Sequence, residues 1–120
     1  MNDIDMVNNP PHYKDASGIE CIDVTRHMQF CGGSCFKYLY RCGSKWDDIE
    51  DLKKAAKYAG WACEIREKVS RYPSDLIVRI AEHREGHIEK AMEYVSQGCW
   101  GLTGNAIKAE IARLENEVSQ

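Results

Sequence analysis

Proline and phenylalanine are scarce in this 120-residue chain, which holds three of the first and two of the second. Long apolar runs are missing too. No stretch approaches the roughly 18 apolar residues that a bilayer-spanning helix needs, so no membrane anchor is expected. There is no CxxC pair, which removes the main support for a zinc ribbon or a thioredoxin-like centre. There is no Gly-x4-Gly-Lys-Ser/Thr element, which excludes a P-loop. Sixteen Lys and Arg against nineteen Asp and Glu leave a formal charge of −3, an argument against a generic nucleic-acid binder. Met1-Asn2-Asp3-Ile4-Asp5 is acidic with no apolar run behind it, so no secretory leader is expected.

What is present is ordinary globular material, 43% hydrophobic and 29% charged, at a length suited to one domain over residues 1–120. The six cysteines (Cys21, Cys31, Cys35, Cys42, Cys63 and Cys99) are read as reduced thiols that mostly pack as small apolar groups.

No segment alternates with period two, and the apolar spacing is helical throughout. A lead-in around Pro10-Pro11 precedes a short helix from Ile19 to Met28, with Ile19, Ile22 and Cys21 inward. Cys31-Gly32-Gly33-Ser34 reads as a turn ending in an N-cap, and the helix it opens runs from Cys35 to Cys42, before Gly43. Asp48 and Asp51 suggest a capping box for the longest helix, Ile49 to Ser70, whose stripe is Leu52, Ala55, Ala56, Ala59, Cys63 and Ile65. Ser74 is expected to cap a helix from Asp75 to Ser96, with Ile77, Ile80, Ala81, Ile88, Ala91, Met92 and Val95 inward and Gly86 as a weak point. Leu102, Ala106, Ile107, Ile111 and Leu114 trace a last amphipathic helix. The expected fold is an all-α bundle of about five helices, gaining core by pairing as a homo-oligomer.

Chemistry concentrates before residue 60. Gly32-Gly33-Ser34 ahead of a helix is a usable anion site, since it offers free N–H groups and a positive dipole end. Lys37 and Arg41 share a helix face, Lys45 follows Gly43, and Lys54 precedes Tyr58 by four. Together these cations suit the phosphates of a nucleotide. The competing reading is a solvated face paired with Asp47, Glu50 and Asp51. His83 and His87 have a metal-pair spacing but lack a third ligand. Trp100 reads either as a base-stacking platform or as a plug at a helix junction.

The order of several motifs adds to this. They are Asn9-Pro10-Pro11-His12-Tyr13, Gly18-Ile19-Glu20-Cys21-Ile22-Asp23, Phe30-x2-Gly33-x3-Lys37-Tyr38-Leu39-x-Arg41, Lys45, and Asp51-Leu52-Lys53-Lys54-Ala55-x2-Tyr58. Over residues 7–64 they resemble a small phage-encoded domain family, long catalogued as of unknown function, whose best-studied member is a deoxynucleoside monophosphate kinase without a P-loop. The resemblance implies a protein handling nucleotides in the cytoplasm of an infected host, with ATP and Mg²⁺ if it is a kinase. It implies His12, Lys37 and Arg41 as catalytic residues, His12 orienting the acceptor oxygen. Tyr13, Ser34, Tyr38, Lys45, Lys54 and Tyr58 become substrate-binding positions, and Glu20, Asp23 and Asp51 candidate Mg²⁺ carboxylates. The chain departs from the family at Ser34, where Asn is usual, and at Cys35 and Cys42, where small apolar residues are commoner. Residues 65–120 carry no such likeness and are read as two further helices.

Two other classes stay open. One is a non-catalytic protein sequestering a cyclic or modified nucleotide immune signal, which would need no Mg²⁺. The other is a module binding a host protein, which would tolerate Lys37→Ala.

Overall fold

The computed structural model describes residues 15–43 and 47–118. His12, Tyr13 and Lys45 lie outside the described residues. The fold is all-α, with six helices and no strand among the described residues: α1 (Cys21–Thr25), α2 (Phe30–Arg41), α3 (Asp48–Glu64), α4 (Arg71–Ala81), α5 (Gly86–Ser96) and α6 (Trp100–Val118). α2 packs on α3, α3 on α6, α6 on α5 and α5 on α4, while α1 bridges α2 and α4. Val24, Phe36, Leu39, Leu52, Ile77, Ile80, Met92, Val95 and Ile107 fill the centre. Most of the expected α4, α5 and α6 apolar positions lie in this core or against it. No helix of the described residues is long and apolar enough to cross a membrane.

Several boundaries differ from the sequence expectation, each for a local reason. α2 begins at Phe30, so Gly32, Gly33 and Ser34 lie within it rather than ahead of it. Gly32 is a place where another side chain comes in: a Cβ there would stand 2.6 Å from Trp100 Cη2. Trp100 is the junction plug of the two readings, buried with its indole Nε1 donating to the Glu67 carbonyl at 2.9 Å.

α3 is capped by Asp47, which accepts the Glu50 N–H at 3.0 Å, and not by Asp48 with Asp51. It stops at Glu64, short of Ser70, in a Schellman arrangement. Glu67 N–H donates to Ala62 O and Arg66 N–H to Cys63 O, with Arg66 at φ 54. Ile65 lies past that end and is exposed, while Cys63, still within α3, is on its outer face because the buried stripe runs Leu52, Ala55, Ala59 and Ala62. In α1, Ile22 is exposed and Val24 is the buried residue. Leu102 is likewise exposed, and the inward residues of α6 include Trp100, Thr103 and Glu110.

The single helix expected from Asp75 to Ser96 is two. Its first half starts after Ser70, which precedes Ser74 by a turn, and the chain breaks after Ala81. Arg84 in the break turns inward. Its Nη2 lies 3.2 Å from Asp15 Oδ2 and donates to Tyr40 O at 3.1 Å, and Nη1 donates to Leu39 O at 3.4 Å. The guanidinium thus adds donors to the last-turn carbonyls of α2, where Leu39 O also accepts the Cys42 N–H at 3.2 Å. Gly86 restarts the chain at φ 61. His83 and His87 are therefore on either side of a break, not on one helix.

None of the six cysteines is bonded. Cys35 is fully buried, and Cys63 is exposed. Burial pushes the Cys21 thiol up to about 11 and the Cys42 thiol up to about 12, the latter helped by Asp48 and Asp51. Both are protonated at neutral pH and therefore weak nucleophiles.

Candidate functional site: an aromatic and basic face on α2 and α3

Two helical stripes meet here. On α2 the spacing Phe30, Ser34, Lys37, Tyr38 and Arg41 repeats every three or four residues, so all five share a flank. On α3 the corresponding stripe is Glu50, Lys54, Lys57, Tyr58 and Trp61. Packing of α2 on α3 brings the flanks side by side.

The rings form a continuous platform. Tyr38 and Tyr58 stack with centroids 6.1 Å apart and planes 15° from parallel. Tyr58 also meets Phe30 at 5.8 Å and Trp61 at 5.3 Å, both edge to face. Phe30 is 73% exposed and Trp61 43%, a large exposure for apolar rings. Three cations surround the Tyr38 ring, with Lys37 Nζ, Arg41 Cζ and Lys54 Nζ at 5.8, 5.8 and 5.6 Å from its centroid. Lys57 Nζ stands 5.6 Å from the Trp61 ring. These are cation–π distances, which hold charge over the platform without neutralising it.

Carboxylates set how available each cation is. Arg41 Nε lies 3.4 Å from Asp51 Oδ2, and the Asp51 side chain is buried. The pairing offsets the cost of burying that carboxylate and fixes the direction of the guanidinium. Lys54 lies 3.4 Å from Glu50 in an exposed pair, worth at most about 1 kcal/mol and readily exchanged for a ligand anion. Among the described residues, Lys37 and Lys57 have no carboxylate partner.

Beside the platform lies an open pocket of about 370 Å³, lined by Thr25, Met28, Gln29, Phe30, Gly33, Ser34 and Lys37. Ser34 and Lys37 are thus brought to one cavity, and Phe30 joins that cavity to the rings.

The helix-start anion site expected at Gly32-Gly33-Ser34 is filled by the protein itself. The true first turn of α2 offers the Cys31 and Gly32 N–H groups, and these donate to Glu67 Oε2 at 3.0 Å and Oε1 at 2.6 Å. Glu67 is 36 and 35 residues away from them and almost fully buried. A carboxylate at a helix start is where the dipole favours negative charge.

Of the candidate magnesium carboxylates, Glu20 and Asp23 lie together at the start of α1, and Asp51 lies apart from them. Asp23 accepts the Glu20 N–H at 3.0 Å, so this pair caps α1. Asp51 faces Arg41 on α3, and α1 and α3 do not touch. Among the described residues no three His, Cys, Asp or Glu side chains gather as a metal ion would need. A magnesium ion held through water by one or two of them would sit either at the Glu20–Asp23 cap or at Asp51.

Of the expected residues, Lys37, Arg41, Lys54, Tyr38, Tyr58 and Ser34 converge on one face. Phe30, Lys57 and Trp61 join them unforeseen. Their signal was available, since Phe30 precedes Ser34 by four and Trp61 follows Tyr58 by three. Glu67 had no such signal, because its partners are fixed only by the folded chain.

The fold and face together define a small all-helical domain with a ring-and-cation surface. Residues 7–60 match the model of a family described as a protein of unknown function, DUF3310. The match takes in Lys37, Tyr38, Arg41, Lys54 and Tyr58 and stops short of Trp61. No curated protein and no solved structure gives a match.

Proposed function

We propose that the α2–α3 face binds a nucleotide and that the protein is a deoxynucleoside monophosphate kinase-like phosphotransferase of phage origin. The observation that carries the reading is the gathering of Lys37, Arg41 and Lys54 around the Tyr38 ring, with Tyr58 stacked behind it. Rings offer a base a stacking surface, and cations at their edge meet its phosphates. Phosphoryl transfer asks a protein mainly for positioning and charge neutralisation, which Lys and Arg supply. Ser34, in the pocket with Lys37, adds a hydroxyl within the same cavity. In this reading His12, Tyr13 and Lys45 complete the site, ATP with Mg²⁺ is the donor, and the setting is the host cytoplasm. A homo-oligomer would give a short chain room for two nucleotides.

The test is to incubate the protein with Mg²⁺, ATP and each deoxynucleoside monophosphate and separate the products by chromatography. Diphosphate that disappears in Lys37→Ala and Arg41→Ala supports the reading and rules out a contaminating kinase. Folded protein that makes no diphosphate refutes turnover.

The engagement of Asp51 by Arg41, and of Asp23 by the Glu20 amide, favours a second reading. Here the face sequesters a cyclic or modified nucleotide without converting it. Its mark is a nucleotide recovered intact, bound stoichiometrically without Mg²⁺.

A further inference from the structure

The platform is longer than one nucleotide requires. Tyr38 with Lys37, Arg41 and Lys54 makes one ring-and-cation unit. Trp61 with Lys57 makes a second, joined to the first through Tyr58, which lies 6.1 Å from Tyr38 and 5.3 Å from Trp61. A single base with its phosphates is served by the first unit alone. The second unit is solvent-facing and holds a cation without a carboxylate partner among the described residues, and Tyr58, which joins the units, also meets Phe30, 73% exposed. Rings that every base can stack on, interleaved with cations along a track, are the recurring pattern of surfaces that hold single strands.

From this repetition we propose that the face formed by Tyr38, Tyr58, Trp61 and Phe30, with Lys37, Arg41, Lys54 and Lys57, binds a single-stranded oligonucleotide. It does so by stacking successive bases and pairing their phosphates. The overall charge of −3 does not oppose this, since four of the sixteen Lys and Arg share this flank and strand binding answers to local field. Edge-to-face packing among the rings keeps them in place before the strand arrives, which lowers the ordering cost of binding. A duplex hides its base faces, so the platform discriminates against it. The proposal deepens the nucleotide reading of the same face and rests on it for the first ring-and-cation unit.

The experiment measures fluorescence anisotropy of a fluorescein-labelled oligothymidylate of about twelve nucleotides, within the range that single-strand sites occupy. Thymidine monophosphate binding is followed in parallel by equilibrium dialysis. The strand is expected to bind more tightly than the monophosphate and than a duplex of equal length. Trp61→Ala is expected to weaken strand binding roughly tenfold or more, since that is the usual worth of a stacked base, with Trp61→Phe largely restoring it. Trp61→Ala should weaken monophosphate binding by a smaller factor than strand binding, because the Tyr38 ring and its three cations stay in place. Each phosphate neutralised contributes about −0.7 to the slope of log affinity against log salt, so a slope between about −1.4 and −2.8 is expected for two to four cations.

Strand binding no tighter than monophosphate binding, or indifferent to Trp61→Ala, overturns the proposal and leaves the nucleotide reading standing. A duplex bound as well as the strand also overturns it. Binding of neither ligand also overturns the proposal and removes thymidine monophosphate as the nucleotide of this face. Trp61 is at the surface, so its loss does not threaten the fold.

Discussion

Replacing Gly32 with alanine separates local helix preference from tertiary packing, because the two predict opposite signs. In an unobstructed helix interior, Gly→Ala stabilises by about 0.5–1 kcal/mol. Gly60, on the exposed side of α3, is in that situation, with no atom within 4 Å of where a Cβ would stand. Gly32 is not. Its Cβ would lie 2.6 and 2.9 Å from Trp100 Cη2 and Cζ2, and 3.0 Å from Glu67 Oε1. Neither neighbour moves freely. The indole is 4% exposed and tethered by its 2.9 Å hydrogen bond to the Glu67 carbonyl. The Glu67 carboxylate is held by the Cys31 and Gly32 amides.

Overpacking a rigid site costs about 1–3 kcal/mol, and contact with a fixed ring places this one at about 2–3 kcal/mol. Subtracting the helix-propensity gain leaves a net loss of about 1–2 kcal/mol, or roughly 4–10 °C in Tm for a domain of this size. Urea and thermal unfolding followed by far-ultraviolet circular dichroism would measure it beside Gly60→Ala, which should gain a few degrees. Trp100→Phe removes the clashing benzo atoms, so the Gly32→Ala, Trp100→Phe double variant should show a coupling of about 1 kcal/mol or more. A Gly32→Ala protein as stable as the parent, or two changes that simply add, would refute the packing account of why α2 carries glycine there.

Arg66→Gly should stabilise by about 0.5–1 kcal/mol in urea unfolding, since Arg66 holds φ 54 at the end of α3, where a glycine is relieved of the side-chain clash. A loss would show that the Arg66 side chain outweighs its backbone. Arg84→Ala should cost about 2–4 kcal/mol in the same assay, because it strands the largely buried Asp15 and takes a charged donor from the Tyr40 carbonyl. Arg84→Lys should recover little, lacking the forked geometry. Alkaline pH should unfold the chain progressively. Burial raises the Cys21 and Cys42 thiols from 9.0 to about 11 and about 12, and the Tyr40 hydroxyl, also facing Asp15, from 10.0 to about 12. Folded chain then binds more protons than unfolded, so this stability is complete below pH 9 and is lost as pH rises through 11 to 12. Urea midpoints across pH 7–11 check it; a flat profile above pH 9 contradicts the burial of these groups.

Much of the fold was legible because burial in a helix imposes a period. Ile77, Ile80, Ala91, Met92, Val95 and Ile107 are spaced for an inward face and occupy one. The ends were less legible, because what ends a helix here is often distant. The break before α5 has a local part, Gly86 at φ 61, which the sequence marks as a weak point, and a distant part, Arg84 reaching the end of α2. Gly32-Gly33 reads as a loop on propensity alone, since two glycines weaken a helix. It is helical because Trp100 needs the missing Cβ at Gly32 and Glu67 binds the first turn's amides. For the candidate face, the pairs at spacings of three and four revealed Lys37, Tyr38, Arg41, Lys54 and Tyr58. The part it hid was which rings meet across α2 and α3, because that depends on the packing of one helix against another.

The Glu67 contact also decides where this protein can meet an anion. A helix start is the strongest backbone site for negative charge, and in α2 it is satisfied from within by a carboxylate. An external phosphate would have to displace that carboxylate, leaving a buried charge without its partners, at a cost of several kcal/mol. Approach along the flank carries no such penalty. There Lys37 has no carboxylate to release among the described residues, and Lys54 gives up only an exposed pair with Glu50. In the proposed reading, recognition therefore falls to side chains on a helix flank, where cations and rings alternate. Such a surface binds by charge and stacking more than by an exact cage of amides, which suits ligands that share phosphates and flat bases and differ in length.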